Sequence, residues 1–406
     1  MWRYLSLETA LREQKTGRYN IFYKVSWIAI AIALYLLCYQ LFYCQIAGCE
    51  GGLGNYPSDI SAHIKFGLDG TGYSTIDAII AFLSRNFGNE PIAVLESLFV
   101  VLTWHFTARL FERISGVSSV LPLYVSLGLI SLTNIPLPVY NTYYAERLIS
   151  QPWHNITYTG MRLFAVLTVC YFIDFYKNYL SRILWKNYLL VTLFLFLSAG
   201  IKPNFFISFS AALFVVLLFG FIRDNRKAEN FRKYLTAGSM VLPSCAVLFL
   251  QSRILYQFGT VSGDATSGIT LIWFSAFFNN GAGIGILKIV MCLAFPIAVF
   301  IINKGGDKGF KYIGLFFLVS FVISNIFQET GPRANDGNFF WGVRCGGFFF
   351  SLFAISYFVK NWKEGIPRNK IGSAVYKTFG TMLCMAHIVF SLLYFDSLIR
   401  GGQYFI

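Results

Sequence analysis

From residue 25 to residue 396 the chain alternates long apolar runs with short polar stretches. A helix crossing a bilayer needs about 20 apolar residues, because lipid offers backbone amides and carbonyls no partner. Runs that meet or approach that length lie at 25–44, 92–111, 118–137, 158–175, 188–200, 204–222, 235–252, 284–303, 312–327, 339–359 and 378–396. The pattern predicts an all-α fold, a polytopic membrane helix bundle of about eleven spans forming one domain over residues 1–406. The run 188–200 is too short to cross squarely, and Lys202-Pro203-Asn204 interrupts an apolar stretch that continues to Ile222. Pro203 lacks the amide a continuous helix needs. Either two short spans meet at an outer turn, or a broken helix lines a cavity; both place Lys202 near the outer surface.

Two segments carry a mixed pattern. Residues 1–20 set Trp2, Leu5, Leu7 and Leu11 among Arg3, Glu8, Arg12 and Lys15, which predicts an amphipathic helix on the inner leaflet. Residues 74–86 set Ile76, Ile79, Ile80 and Leu83 among Asp77 and Arg85, which predicts a second interfacial helix roofing the outer loop 45–91. The first apolar run lacks a small-residue cleavage site and reads as a retained span.

Composition agrees: 56% of residues are hydrophobic and 13% charged, against roughly 25% charged in soluble domains. The net charge of +14 could suggest nucleic acid. Its distribution points elsewhere, since 23 of the 33 basic residues fall in alternate inter-helix segments. By the positive-inside rule that side is cytoplasmic, with the N-terminus inside and the C-terminus outside, and the lipid bilayer, not nucleic acid, is the partner. Of eight cysteines, only Cys44 and Cys49 flank a loop, where a disulfide could close if the loop faces an oxidising compartment.

This topology gathers candidate chemistry on the outer face, in loops 45–91, 138–157, 253–283 and 328–338. In the first, Asp59 and His63 stand four apart and share a face on a helical turn, where a carboxylate and an imidazole can accept and relay a proton or bind a divalent cation, Mg or Mn. Capping of the following helix is the competing role for Asp59. The second loop holds Glu146, Arg147, Trp153, His154 and Asn155, residue types that stack on, hydrogen-bond to or pair with a sugar or an anion. The last holds Glu329 and Arg333; Arg333, with Lys202 and Arg344, suits a phosphate because a guanidinium grips two oxygens at once. Glu96 and His105 lie inside the second span and give weaker signals.

Taken together, Ser58-Asp59-Ile60-Ser61-Ala62-His63, Pro152-Trp153-His154-Asn155-Ile156-Thr157 and Lys202-Pro203-Asn204 on such a bundle resemble the GT-C superfamily of membrane glycosyltransferases, the second stretch resembling a Trp-His-Asn-Pro-Thr segment of bacterial surface-polysaccharide members. The resemblance implies transfer of a sugar from a polyprenyl-phosphate donor to a glycan or lipid-linked acceptor on the non-cytoplasmic face of a bacterial inner or plasma membrane. It implies Asp59 as base, with Arg333 and Lys202 or Arg344 clamping phosphate and Trp153 and His154 positioning sugar or acceptor. Asp59 has no adjacent acid and Ile156 replaces the proline of that segment, which leaves metal dependence open. The alternatives are a polysaccharide polymerase, expected to rely on long outer loops and arginines, a transporter, expected to show repeated halves and midplane charge pairs, and a membrane acyltransferase, expected to bury a histidine with an acid, for which Glu96 and His105 are poor candidates.

Overall fold

A computed structural model describes residues 17–51, 54–56, 58–132, 152–257, 268–274, 282–331, 337–364 and 370–402. Helix α1 (Gly17–Ala47) leads into a small hairpin, β1 (Glu50–Gly51) with β2 (Gly54–Asn55), then into α2 (Ile60–Leu68) and α3 (Thr75–Phe87). There follow α4 (Glu90–Ser115), α5 (Leu121–Ile130), a 3-10 turn (Pro152–His154), α6 (Ile156–Asn178), α7 (Trp185–Ile201) and α8 (Asn204–Arg223). The rest comprises α9 (Lys227–Ser239), α10 (Leu242–Gln257), α11 (Ala282–Ile302), α12 (Lys308–Ile326), α13 (Phe340–Glu364) and α14 (Lys370–Ile399). Strands β3 (Ile269–Leu271) and β4 (Phe327–Glu329) pair antiparallel, with Ile269 opposite Glu329.

Among the described residues eight helices are long and apolar enough to cross a membrane: α1, α4, α6, α8, α9 with α10 taken as one, α12, α13 and α14. The other three apolar runs, 118–137, 188–200 and 284–303, coincide with shorter apolar helices, α5, α7 and Ile289–Ile302 within α11. The break between α9 and α10 at Met240–Val241 has a local cause, since Pro243 cannot donate to the carbonyl four residues back and its ring crowds it.

Helices α6 and α13 form the axis of the bundle. Fully buried Phe172, Phe205, Phe209, Tyr312, Phe316 and Phe349 interlock around them, Phe172 lying 4.5 Å from Tyr312 and 4.8 Å from Phe209 between ring centroids. The peripheral helices turn Ile21, Ile32, Leu189, Phe214, Phe249 and Phe379 outward, an apolar girdle that suits lipid and not water. Helix α5 spans ten residues, about 15 Å, half the hydrocarbon thickness of about 30 Å, so its last carbonyls end where lipid cannot satisfy them. Arg162 of α6 supplies the partner: wholly buried, it donates from Nη1 to the Ile130 carbonyl at 2.7 Å, a cation at the negative end of a helix.

The bundle's two ends differ. At one, Lys177 pairs with Asp307 at 2.5 Å, Arg113 with Asp174 at 3.1 Å, and Lys233 donates to the Leu180 carbonyl. These are the basic inter-helix segments. The other end carries α2, α3, the 3-10 turn and the Lys202-Pro203 junction, where α7 and α8 meet as two separate helices. Gly67 lets α2 lie on α3, because a Cβ there would collide with the Asp77 carbonyl oxygen.

Candidate active site

The site starts at the end of α1. Gln45 donates to the Trp153 carbonyl at 2.8 Å and fixes the 3-10 turn; the next carbonyl, of His154, accepts from the Asp59 amide at 2.9 Å and the Ser58 hydroxyl at 3.2 Å. Two distant segments are thereby stitched together, and Asp59 stands at the position before α2. Its side chain makes no capping bond. The carboxylate turns away from the helix, Oδ2 accepting from Asn155 Nδ2, while Oδ1 is buried without a hydrogen-bond partner. The competing structural role therefore fails on geometry: this aspartate is aimed at α6.

His63, one turn into α2, lies between two carboxylates, with Nδ1 2.7 Å from Asp77 Oδ1 and Nε2 3.7 Å from Asp59 Oδ2. Asp77 is held in turn by a capping box with Ser74 at the start of α3. Burial alone would lower the imidazole, but hydrogen bonds and charges from Asp59 and Asp77 push it up to about 9. Burial would raise the Asp59 carboxyl; the hydrogen bond and charge of His63, with Lys202 behind, hold it below the usual carboxylate range. At neutral pH His63 is thus an imidazolium beside an ionised Asp59. His63 is therefore held as a charged partner between Asp59 and Asp77, which bears on its expected part in a proton relay.

Asn155 joins the acidic and basic halves of the site. Its Oδ1 caps α6 by accepting from the Tyr158 amide at 2.8 Å, and also accepts from Thr157 Oγ1 at 2.7 Å and Lys202 Nζ at 3.4 Å. Lys202, buried at the end of α7, donates to Thr157 Oγ1 at 3.0 Å and lies 5.0 Å from the Trp341 ring. Arg344, one turn along α13, covers the same indole at 4.2 Å, and the His154 ring adjoins it at 5.2 Å. Burial first, then Arg344 and Lys202, lower His154 to about 4 against the pull of Asp59, so this imidazole is neutral. Two cations share one indole face-field.

Other sequence-predicted residues fare differently. Trp153 is fully buried with Phe395 at 4.6 Å, so it offers no open ring to a sugar; its contribution is the carbonyl that Gln45 holds. Glu146, Arg147 and Arg333 lie outside the described residues. Glu329 is buried, accepting from Asn338 Nδ2, and the Asn338 carbonyl accepts from Asn204 at 2.6 Å. Glu329, Asn338 and Asn204 line a groove of about 440 Å³ together with Ile207, Leu248 and Phe249. Among the described residues no three His, Cys, Asp or Glu gather as a metal site.

No family model, no curated protein and no solved structure matches this chain.

Two site residues escaped the sequence reading, and a third was underweighted. Asp77 was visible only as part of Ser74-x-x-Asp77, a helix-start signature, and nothing linked it to His63 fourteen positions earlier. Trp341 sits three before Arg344, a spacing that puts both on one helix face. Glu96, a weak signal in sequence, is wholly buried in α4 in contact with Thr159 and close enough to Asp59 to feel its charge.

Proposed function

We propose that this chain is a membrane glycosyltransferase that takes a sugar from a polyprenyl-phosphate-linked donor and delivers it to a glycan or lipid-linked acceptor on the non-cytoplasmic side. The observation that carries the reading is the Asn155 amide, which donates to the Asp59 carboxylate on one side and receives Lys202 on the other. Base and cation are thereby held at fixed separation at one end of an apolar bundle.

Glycosyl transfer from a phosphosugar needs that pair. The acceptor hydroxyl gives its proton to Asp59 as its oxygen bonds to the anomeric carbon, and the bond from that carbon to the phosphate oxygen breaks. The departing phosphate gains charge, which Lys202 and Arg344 neutralise in a site largely closed to water. Trp341 keeps these two cations together despite their mutual repulsion. The groove between α8 and α10 opens among apolar walls and suits a prenyl chain reaching in from the bilayer, with Glu329, Asn338 and Asn204 meeting polar groups at its head.

Purified protein in lipid nanodiscs, given a radiolabelled polyprenyl-phosphate sugar and a hydroxyl acceptor, tests the reading. Transfer by wild type and its loss in Lys202→Met, at unchanged thermal stability, support it; wild-type transfer by Lys202→Met and Arg344→Gln together removes the cationic clamp and the mechanism with it.

A further inference from the structure

Helix α1 ends in a turn whose geometry selects two particular residues. Gly48 has φ +67°, the left-handed conformation that stops a helix with glycine just beyond its last residue. The Cys49 amide then donates back to the Cys44 carbonyl at 3.1 Å, the long return bond of a Schellman turn. That turn brings together the side chains on either side of the return bond, normally an apolar pair that seals the helix end. Here both are cysteines, and their thiols are in hydrogen-bonding contact. Cys44 is buried, with Gln40 Nε2 3.2 Å from its sulfur; Cys49 is half-buried and the more accessible.

The surroundings give the pair a mechanical place. In the hairpin that starts at Cys49, Glu50 faces Asn55, so Tyr56 returns beside Cys49. Tyr56 is also hydrogen-bonded with Cys44 and donates to the Ile399 carbonyl at the end of α14 at 2.9 Å. Asp59 follows three residues later, and Gln45, next to Cys44, holds the turn that anchors Asp59. Two thiols at the hinge between a membrane helix and the loop bearing the candidate base are poorly explained as packing alone, since any two small apolar residues would seal the turn.

We propose that Cys44 and Cys49 form a disulfide in the mature protein, a covalent staple that fixes the root of the loop carrying Asp59. The return bond and the contact between the two thiols place them where a disulfide can form. An external disulfide of the non-cytoplasmic compartment is the oxidant. The accessible Cys49 attacks it as thiolate and releases one external thiol; Cys44, deprotonated, displaces the second external thiol from the mixed disulfide. Two protons and two electrons leave the pair and appear in the two external thiols.

The staple is read by mass. Full-length protein in membranes is denatured in the presence of N-ethylmaleimide, freed of excess reagent, reduced, alkylated with iodoacetamide, digested and analysed by mass spectrometry. Cys44 and Cys49 are expected to carry the iodoacetamide label together, while Cys38, Cys170, Cys245, Cys292, Cys345 and Cys384 carry N-ethylmaleimide. In Cys49→Ser, Cys44 is expected to switch to N-ethylmaleimide; if it keeps the iodoacetamide label, its partner is another cysteine and the staple is wrong. N-ethylmaleimide on both residues in wild type overturns the proposal outright, and that measurement stands even if the variant does not fold. Because the readout is mass and not turnover, its failure leaves the glycosyl-transfer reading intact, and loss of transfer elsewhere leaves the staple intact.

Discussion

At Asp59 the chemistry and the geometry can be separated by one atom. Asp59→Asn keeps the shape and an acceptor for Asn155 Nδ2, and costs no helix cap because the carboxylate makes none. Glycosyl transfer should fall by about 100- to 10,000-fold, the usual worth of general-base assistance, with expression unchanged and the melting temperature lowered only as far as His63 loses one of its two anionic partners. Wild-type turnover would show that the base lies elsewhere. His63 gives a pH signature with a definite sign. Its folded value of about 9 exceeds the unfolded 6.5, so its stabilisation is complete below 6.5 and is lost as pH rises through 9. The melting temperature of wild type should therefore decline between pH 6.5 and 9 more than that of His63→Gln; parallel curves would mean that the imidazolium between Asp59 and Asp77 does not form. Sequence spacing revealed the Asp59–His63 pair because four residues make one helical turn. It could not reveal Asp77, which reaches His63 only through the packing of α2 on α3, nor that Trp153, an apt stacking residue by type, is spent inside the core.

Between elements, small residues and caps govern the site. Gly67→Ala places a methyl against the Asp77 carbonyl, which must push α2 off α3. The expected result is reduced transfer with the His63–Asp77 bond stretched, although no catalytic side chain has changed; the matching readout is loss of the steep pH 6.5–9 decline in stability. A fully active Gly67→Ala with a wild-type pH curve would show that the α2–α3 contact yields without consequence. Asn155→Asp tests the joint between base and cation. The new carboxylate still caps α6, yet it replaces the amide donor facing Asp59 with a second negative charge. Like charges at that distance force one carboxyl to keep its proton, so residual transfer should shift to higher pH. Helix existence was legible from the apolar runs because lipid leaves the backbone no other choice. Lengths were less so: α5 stops after ten residues because Arg162 receives its end, a side chain 32 positions away that no hydrophobicity pattern connects to Ile130.

For the molecule as a whole, the functional reading depends on which end faces which compartment. The described ion pairs Lys177–Asp307 and Arg113–Asp174 mark one end, and Asp59, Asn155, Lys202 and Trp341 mark the other. The basic excess that the sequence puts in alternate inter-helix segments, 23 of 33 Lys and Arg, favours retention of that side in the cytoplasm. A polyprenyl-phosphate sugar and an acceptor assembled outside would then meet at the second end, where an oxidising compartment would also close Cys44 onto Cys49. Topology reporters separate the two orientations cleanly. A phosphatase active only outside the cytoplasm, fused after Asn225 or Asn361, should be silent, and fused after Gly70, in the turn between α2 and α3, it should be active. A fluorescent reporter that matures only in the cytoplasm should give the reverse. Activity of the phosphatase at Asn225 would invert the bundle, put the Asp59 site among nucleotide-activated sugars instead of lipid-linked ones, and leave Lys202 and Arg344 to be explained by a different phosphate.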